Sequence, residues 1–138
     1  MVVAVLDAQG AGIGKSIIIS LRKEFGKNIY ISALATNSVA TINMLECGAD
    51  IGFTGEDEIC DFLDRQQIDA IIGPIGILVP GGINGEITLR IAQKVFGLKC
   101  PKYLIPLQKH GIYIPCTKDL KIKDFIQDIV LHLSQSKR

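Results

Sequence analysis

The sequence has no CxxC pair, no surplus of either charge, no basic leader and no apolar run fit to cross a bilayer. Its four cysteines stand apart at 47, 60, 100 and 116, so no zinc-knuckle or thioredoxin-type pattern is present. Scattered cysteines of this kind usually serve as small buried hydrophobes. Fifteen Lys+Arg against fourteen Asp+Glu leave a net charge of +1. That balance gives no electrostatic reason to expect nucleic acid or an anionic membrane as partner. Residues 1–7, Met-Val-Val-Ala-Val-Leu-Asp, lack a basic segment and meet a charge at Asp7, unlike a signal peptide. The most apolar stretch, Ala70–Gly85, is 16 uncharged residues broken by Pro74, Pro80 and five glycines. It is too short and too rich in helix breakers to span a membrane. A cytoplasmic protein with no membrane partner is the expectation.

What is present suits one domain. A chain of 138 residues with 48% hydrophobic residues matches a single unit over 1–138, and ~68% of its unfolded surface should be buried. Val2–Leu6 is a continuous apolar run, as in a strand covered on both faces. Ile13, Ile17, Leu21 and Phe25 then repeat at helical spacing up to Gly26. The same reading predicts strands at Ile29–Ala35, Ala49–Thr54 and Asp69–Ile72. It predicts helices at Ser38–Glu46, at Gly55–Arg65 with Thr54 as cap, and from near Gly85 with Ile87, Ile91 and Val95 inward. Lys102–Leu107 and Ile112–Thr117 read as an edge hairpin around Gln108–Gly111, because Pro106 and Pro115 each lack a ladder donor. Ile122, Phe125, Ile126, Ile129, Val130 and Leu133 mark a last helix. The alternation predicts a three-layer, Rossmann-like α/β domain with a mostly parallel sheet and a C-terminal edge hairpin.

In such sheets a ligand sits beyond the carboxyl ends of the strands, where strand order reverses. The loops after the first and fourth strands should build that place. The first reads Asp7-Ala8-Gln9-Gly10-Ala11-Gly12-Ile13-Gly14-Lys15. Glycines there permit close approach of a phosphate, and the helix that follows offers free N–H groups. Its GxGxG spacing departs from the dinucleotide fingerprint GxGxxG. Gln9 stands where a P-loop needs its first glycine. The turn resembles the TGxxxGIG turn of short-chain dehydrogenases at Gly12-Ile13-Gly14, with Asp7-Ala8 in place of Thr-Gly. After the second strand stand Thr36-Asn37-Ser38, with neither an acid for an NAD ribose nor an arginine for a 2′-phosphate. The cofactor therefore stays open, NADP or another nucleotide.

The candidate cofactor-binding set is Asp7, Gln9, Gly10, Gly12, Ile13, Gly14 and Lys15 from the first loop, Thr36 and Asn37 beside a ribose, and Gly73, Pro74 and Gly76 as the opposite wall. Asp7 could serve a ribose or a phosphate-bound metal, or cap the turn. Ile75 and Ile77 could fill the core, wall the crevice or meet another subunit. Asn84 and Glu86 read as helix caps or ligand contacts, His110 as a turn residue and His132 as a partly buried packing residue. No metal site is expected: Asp57, Asp61 and Asp64 share a helix face, but such a face is normally solvated. The Tyr-x-x-x-Lys pair of short-chain dehydrogenases, GxSxG and HExxH are all missing.

The turn Asp7-x-Gln9-Gly10-x-Gly12-Ile13-Gly14-Lys15, together with Thr36-Asn37, Gly48-Ala49, Thr54-Gly55-Glu56, Ile71-Ile72-Gly73-Pro74-Ile75-Gly76-Ile77, Gly85-Glu86-Ile87-Thr88 and Ile105-Pro106-Leu107, resembles an uncharacterised bacterial family known as a domain of unknown function. The resemblance runs over about residues 2–116 and leaves out the last helix. It implies a small Rossmann-like domain of bacterial origin with no established activity, and it carries no functional residue over. Three readings follow: a nucleotide- or phosphate-ligand-binding domain, a homo-oligomeric interaction module with architectural glycines, or a small reductase or phosphotransferase completed by another subunit.

Overall fold

A computed structural model describes residues 1–107 and 111–136. Five strands, β1 (Val2–Asp7), β2 (Tyr30–Ala35), β3 (Ile51–Thr54), β4 (Ala70–Pro74) and β5 (Lys102–Ile105), form one sheet in the order β3-β2-β1-β4-β5. Every pairing is parallel, so the fold is a three-layer Rossmann-like α/β sandwich. Among the described residues five α-helices cover it: α1 (Gly12–Phe25), α2 (Ser38–Glu46), α3 (Glu56–Arg65), α4 (Leu89–Phe96) and α5 (Ile122–Ser136).

The apolar run of β1 is explained by its place. Side chains alternate across a strand, and β1, in the middle of the sheet, has no solvent face. Val3 and Val5 join the core with Ile17 and Leu21 of α1, Met44 of α2, and Ile126 and Leu133 of α5. Ala4 and Leu6 point the other way, to Ile59 and Leu63 of α3 and Ile91 and Val95 of α4. Strand order reverses between β1 and β4, so the carboxyl ends of these two neighbours open the crevice.

Four local expectations need correction. The edge hairpin does not form: Ile112–Thr117 has no strand, and Gln108, Lys109 and His110 lie outside the described residues. Ile112, Tyr113, Pro115 and Cys116 are exposed, Pro115 offers no ladder donor, and Cys116 turns left-handed at φ 68°. Helix α4 starts at Leu89, not near Gly85, with the Thr88 hydroxyl accepting from the Ile91 N–H at 3.2 Å. Before it, Gly81, Ile83, Asn84 and Gly85 all have positive φ, which no right-handed helix can contain. Ile87, Ile91 and Val95 are nonetheless all buried. Gly55, not Thr54, caps α3; the Thr54 hydroxyl pairs with that of Thr41 at 2.7 Å instead. Finally, His132 is exposed, its Nδ1 2.8 Å from the Tyr103 hydroxyl, tying α5 to β5.

The cysteines are all free thiols, but only Cys60 is fully buried and Cys116 is exposed. The acidic face of α3 is neutralised inside the chain: Asp57 pairs with Arg90 and Asp64 with Lys94, each at 2.7 Å. Among the described residues no acid, histidine and cysteine cluster could hold a metal, and no helix is long and apolar enough to cross a membrane.

Gly73 marks where β4 passes β1 most closely, since a Cβ there would overlap the Leu6 carbonyl oxygen. Backbone cannot yield as a side-chain tip can. Gly73→Ala should therefore cost about 1–3 kcal/mol in urea denaturation; an unchanged midpoint would contradict the packing described.

Candidate functional site

A cavity of about 370 Å³ lies at the reversal point, between the loop after β1 and the loop after β4. Asp7, Gln9, Gly10, Gly12 and Ile13 line one side, and Pro74 and Gly76 the other, all of them expected there from sequence. Ile75, Val79 and Ile83 supply most of the apolar wall, with Leu107 and Ile112 closing it. Asn84 lines the cavity too and caps no helix. The loop after β4 thus has two roles: Ile77 is buried in the core, while Ile75 faces the cavity. The crevice is open and largely apolar, with no lysine, arginine or histidine among the described residues that line it.

Five expected residues stand elsewhere. Lys15 does not line the cavity and forms no ion pair among the described residues. Gly14 and Gly73 are architectural: a Cβ on Gly14 would lie 2.8 Å from the Met44 sulfur and 3.1 Å from the Asp7 Cβ. Thr36 and Asn37 face Glu86 rather than the cavity.

The first loop is built around Asp7. This buried carboxylate accepts from the Ala8 N–H through one oxygen and from the Gly14 N–H through the other, both at 2.8 Å. It thereby joins the end of β1 to the first turn of α1, the capping role foreseen for it. Burial pushes its pKa up; the Gly14 and Ala8 amides pull the other way without cancelling it, and the nearby Glu86 charge adds to the rise. Ionised Asp7 is harder to form in the fold than in the unfolded chain. Its contribution to stability is therefore full below the ordinary aspartate range, about pH 4, and declines as pH rises toward its folded value.

Within the loop, Gln9 and Ala11 adopt left-handed backbone at φ 52° and 57°, while Gly10 and Gly12 do not. Left-handed Ala11 followed by helical Gly12 is the alternation that makes successive N–H groups converge on one point. The N–H groups of Gly10, Gly12 and Ile13 donate to nothing among the described residues. Two asparagines of the α2 segment hold the carbonyls back. Asn37 Nδ2 donates to the Gln9 oxygen and Asn43 Nδ2 to the Gly10 oxygen, each at 3.0 Å. Carbonyl and amide point opposite ways across a trans peptide, so the first of these bonds turns the Gly10 N–H away from α2.

Space separates the glycines into two kinds. A Cβ on Gly10 or Gly12 would meet nothing within 4 Å. Neither packing nor backbone conformation demands glycine at either position; what they share is a bare face beside the cavity.

Glu86 is the residue that sequence reading placed least well. It caps no helix but reaches across the carboxyl ends of β1 and β2. Its Oε1 accepts from the Thr36 hydroxyl at 2.5 Å and from Asn37 Nδ2 at 2.9 Å. The Gln9 N–H is shared between its two oxygens at 3.1 and 3.2 Å. Partial burial pushes the Glu86 pKa up, but the bonds from Thr36, the Gln9 amide and Asn37 outweigh it and leave the pKa lowered. Its stability contribution depends on pH in the opposite sense from that of Asp7: present above the ordinary glutamate range and lost as pH falls through its lowered value. A lone Glu directly after Gly85 gave no local sign of a partner near residue 36.

These features sit within a known family. The chain belongs to the family described as Domain of unknown function (DUF3842), whose model matches residues 2–138 and so takes in the last helix as well. No curated protein matches. Among solved structures, the dodecameric FMN-dependent UbiX-like decarboxylase from Escherichia coli O157:H7 is similar with a TM-score of 0.50 and 18% identity, over 98% of this chain and 75% of that one. A universal stress protein from Archaeoglobus fulgidus gives a TM-score of 0.41 and 16% identity, over 76% of this chain and 96% of its own. The first of these likenesses reflects a shared α/β fold.

Replacing Asp7 by Asn would set an NH₂ against one of the two amides. In denaturation series, the stability lost in Asp7→Asn should be largest near the acidic end, about 1–3 kcal/mol, and should shrink as pH rises from about 4. A gap that widens with pH would contradict the raised pKa.

Proposed function

We propose that this chain binds a nucleotide-type ligand, with a phosphate on the amides of Gly10, Gly12 and Ile13 and an apolar ring system in the adjoining cavity. The observation that carries this reading is the pair Gly10 and Gly12: bare where packing would admit a side chain, and flanked by N–H groups with no partner among the described residues. Left-handed Ala11 costs about 1–2 kcal/mol, and such strain collects at binding sites. A cavity with one polar end and apolar walls fits a ligand that is charged at one end and flat and apolar at the other.

The reading is binding rather than turnover. The Asp7/Lys15 pair, which motivated the reductase or phosphotransferase alternative, is not assembled: both Asp7 oxygens are occupied and Lys15 does not line the cavity. One observation favours a second property, self-association in keeping with the homo-oligomeric alternative. Val39, Ile42 and Leu45 of α2 and Ile51 of the edge strand β3 are exposed, Val39 by 60%. Sedimentation showing a concentration-independent monomer would remove that second property.

Gly12→Asp separates folding from binding. The acid enters open space at the start of α1, where the helix dipole favours it, so stability should hold or rise. It also places a negative charge where the phosphate would sit. Thermal unfolding against NAD, NADP, ATP, GTP, adenosylmethionine, flavin mononucleotide and inorganic phosphate should show a rise of several degrees with one nucleotide. That corresponds to about 2.7 kcal/mol with ligand at about 100 times its Kd. The shift should vanish in Gly12→Asp. No shift with any of them, or an undiminished shift in the variant, would defeat the proposal.

A further inference from the structure

We infer that Glu86 selects the ligand's sugar, accepting hydrogen bonds from the vicinal hydroxyls of an unphosphorylated ribose and excluding a ribose that carries a 2′-phosphate. This rests on the nucleotide-binding reading above and names the ligand class that the site would take. In a crossover of this type the sugar next to the bound phosphate lies over the end of the second strand, and an acid placed there accepts from its hydroxyls. The residues that follow β2 here, Thr36-Asn37-Ser38, are all neutral. The structure supplies the missing carboxylate from the opposite loop, and Gln9 connects it directly to the phosphate-facing turn.

The carboxylate has spare capacity on one side. Oε1 takes the Thr36 and Asn37 donors and part of the Gln9 N–H, whereas Oε2 takes only its share of the Gln9 N–H. A carboxylate offers about four lone-pair sites, so Oε2 can accept from a hydroxyl without losing a bond it already makes. Three donors on one side chain also fix its position, which makes it a reader of the ligand rather than a mobile charge. The surrounding field works against a second phosphate. Glu86 and Asp7 are both acids, and no lysine or arginine among the described residues pairs with either. A 2′-phosphate would bring a charge of about −1.5 to −2 against them. A diol brings donors and no charge.

NAD and NADP differ only in that phosphate, and the intact chain can be titrated with each by calorimetry. NAD should bind about tenfold or more tightly than NADP, and Glu86→Gln should narrow the ratio, chiefly by tightening NADP. Since Glu86→Gln also disturbs the bonds from Gln9 of the first loop and from Thr36 and Asn37 after β2, the unaltered protein gives a second test: the 2′-deoxy analogue of NAD should bind about tenfold less tightly than NAD. Equal affinity for NAD and NADP, or a ratio unchanged in a folded Glu86→Gln, overturns the assignment to Glu86. So does equal affinity for NAD and its deoxy analogue. If ATP binds in place of the dinucleotides, equal affinity for ATP and 2′-deoxy-ATP overturns the inference in the same way. Binding of flavin mononucleotide, which has no ribose ring, with no binding of NAD, NADP or ATP keeps the phosphate cradle and overturns this inference alone. Failure of every nucleotide removes both.

Discussion

The bond pair that the first loop depends on is Asp7 to the amides of Ala8 and Gly14. One carboxylate at the end of the central strand holds both the exit from β1 and the first turn of α1, at 2.8 Å each. A charge so buried is costly unless its oxygens are satisfied, and these two amides offset part of that cost. The consequences spread outward. Gly14 has no room for a Cβ between Asp7 and Met44, so α1 and α2 approach β1 closely at its carboxyl end. The turn between the two bonds is left to project Gly10, Gly12 and Ile13 toward the cavity, and Asn37 and Asn43 hold two of its carbonyls against the α2 side.

A second acid completes the arrangement from the other direction. Glu86 links the loop after β4 to Gln9 and to the end of β2, so three segments distant in sequence are fixed relative to one another by one side chain. The loop that carries it is itself irregular, with Ile83 and Asn84 in left-handed backbone. A β-branched residue at positive φ is a strained choice. Here Ile83 forms part of the cavity wall, close to Gly76. Asp7 and Glu86 respond to pH in opposite senses, so each loop carries its own electrostatic signature within a few residues of the same crevice.

Much of the fold was legible in the chain itself. Helix α2 has the predicted limits Ser38–Glu46, β1, β2, α1 and α3 fall within a residue or two of expectation, and α5 begins at the expected Ile122. These are the elements whose apolar spacing is strongly periodic or continuous. The errors fell where local backbone conformation decided the matter. Ile83 and Asn84 turned left-handed before α4, and Gly55 took the cap position expected of Thr54. Pro115 and the exposed residues around it left the last predicted strand without a partner among the described residues.

Periodicity and turn chemistry are local, and so the sequence by itself determined the βα alternation, the position of the glycine turn and the place of the crevice between the first and fourth strands. Seven of the twelve expected site residues do line the cavity, because a loop that directly follows a strand has little freedom in where it goes. The division of the glycines was decided only by tertiary structure. Gly14 and Gly73 are crowded by neighbours far away in sequence, Met44 and Leu6, while Gly10 and Gly12 face open space, although all four read alike along the chain. The same holds for Glu86, whose partner Thr36 is 50 residues away. No pattern in a linear sequence encodes a hydrogen bond between side chains that meet only after three strands have been laid in order.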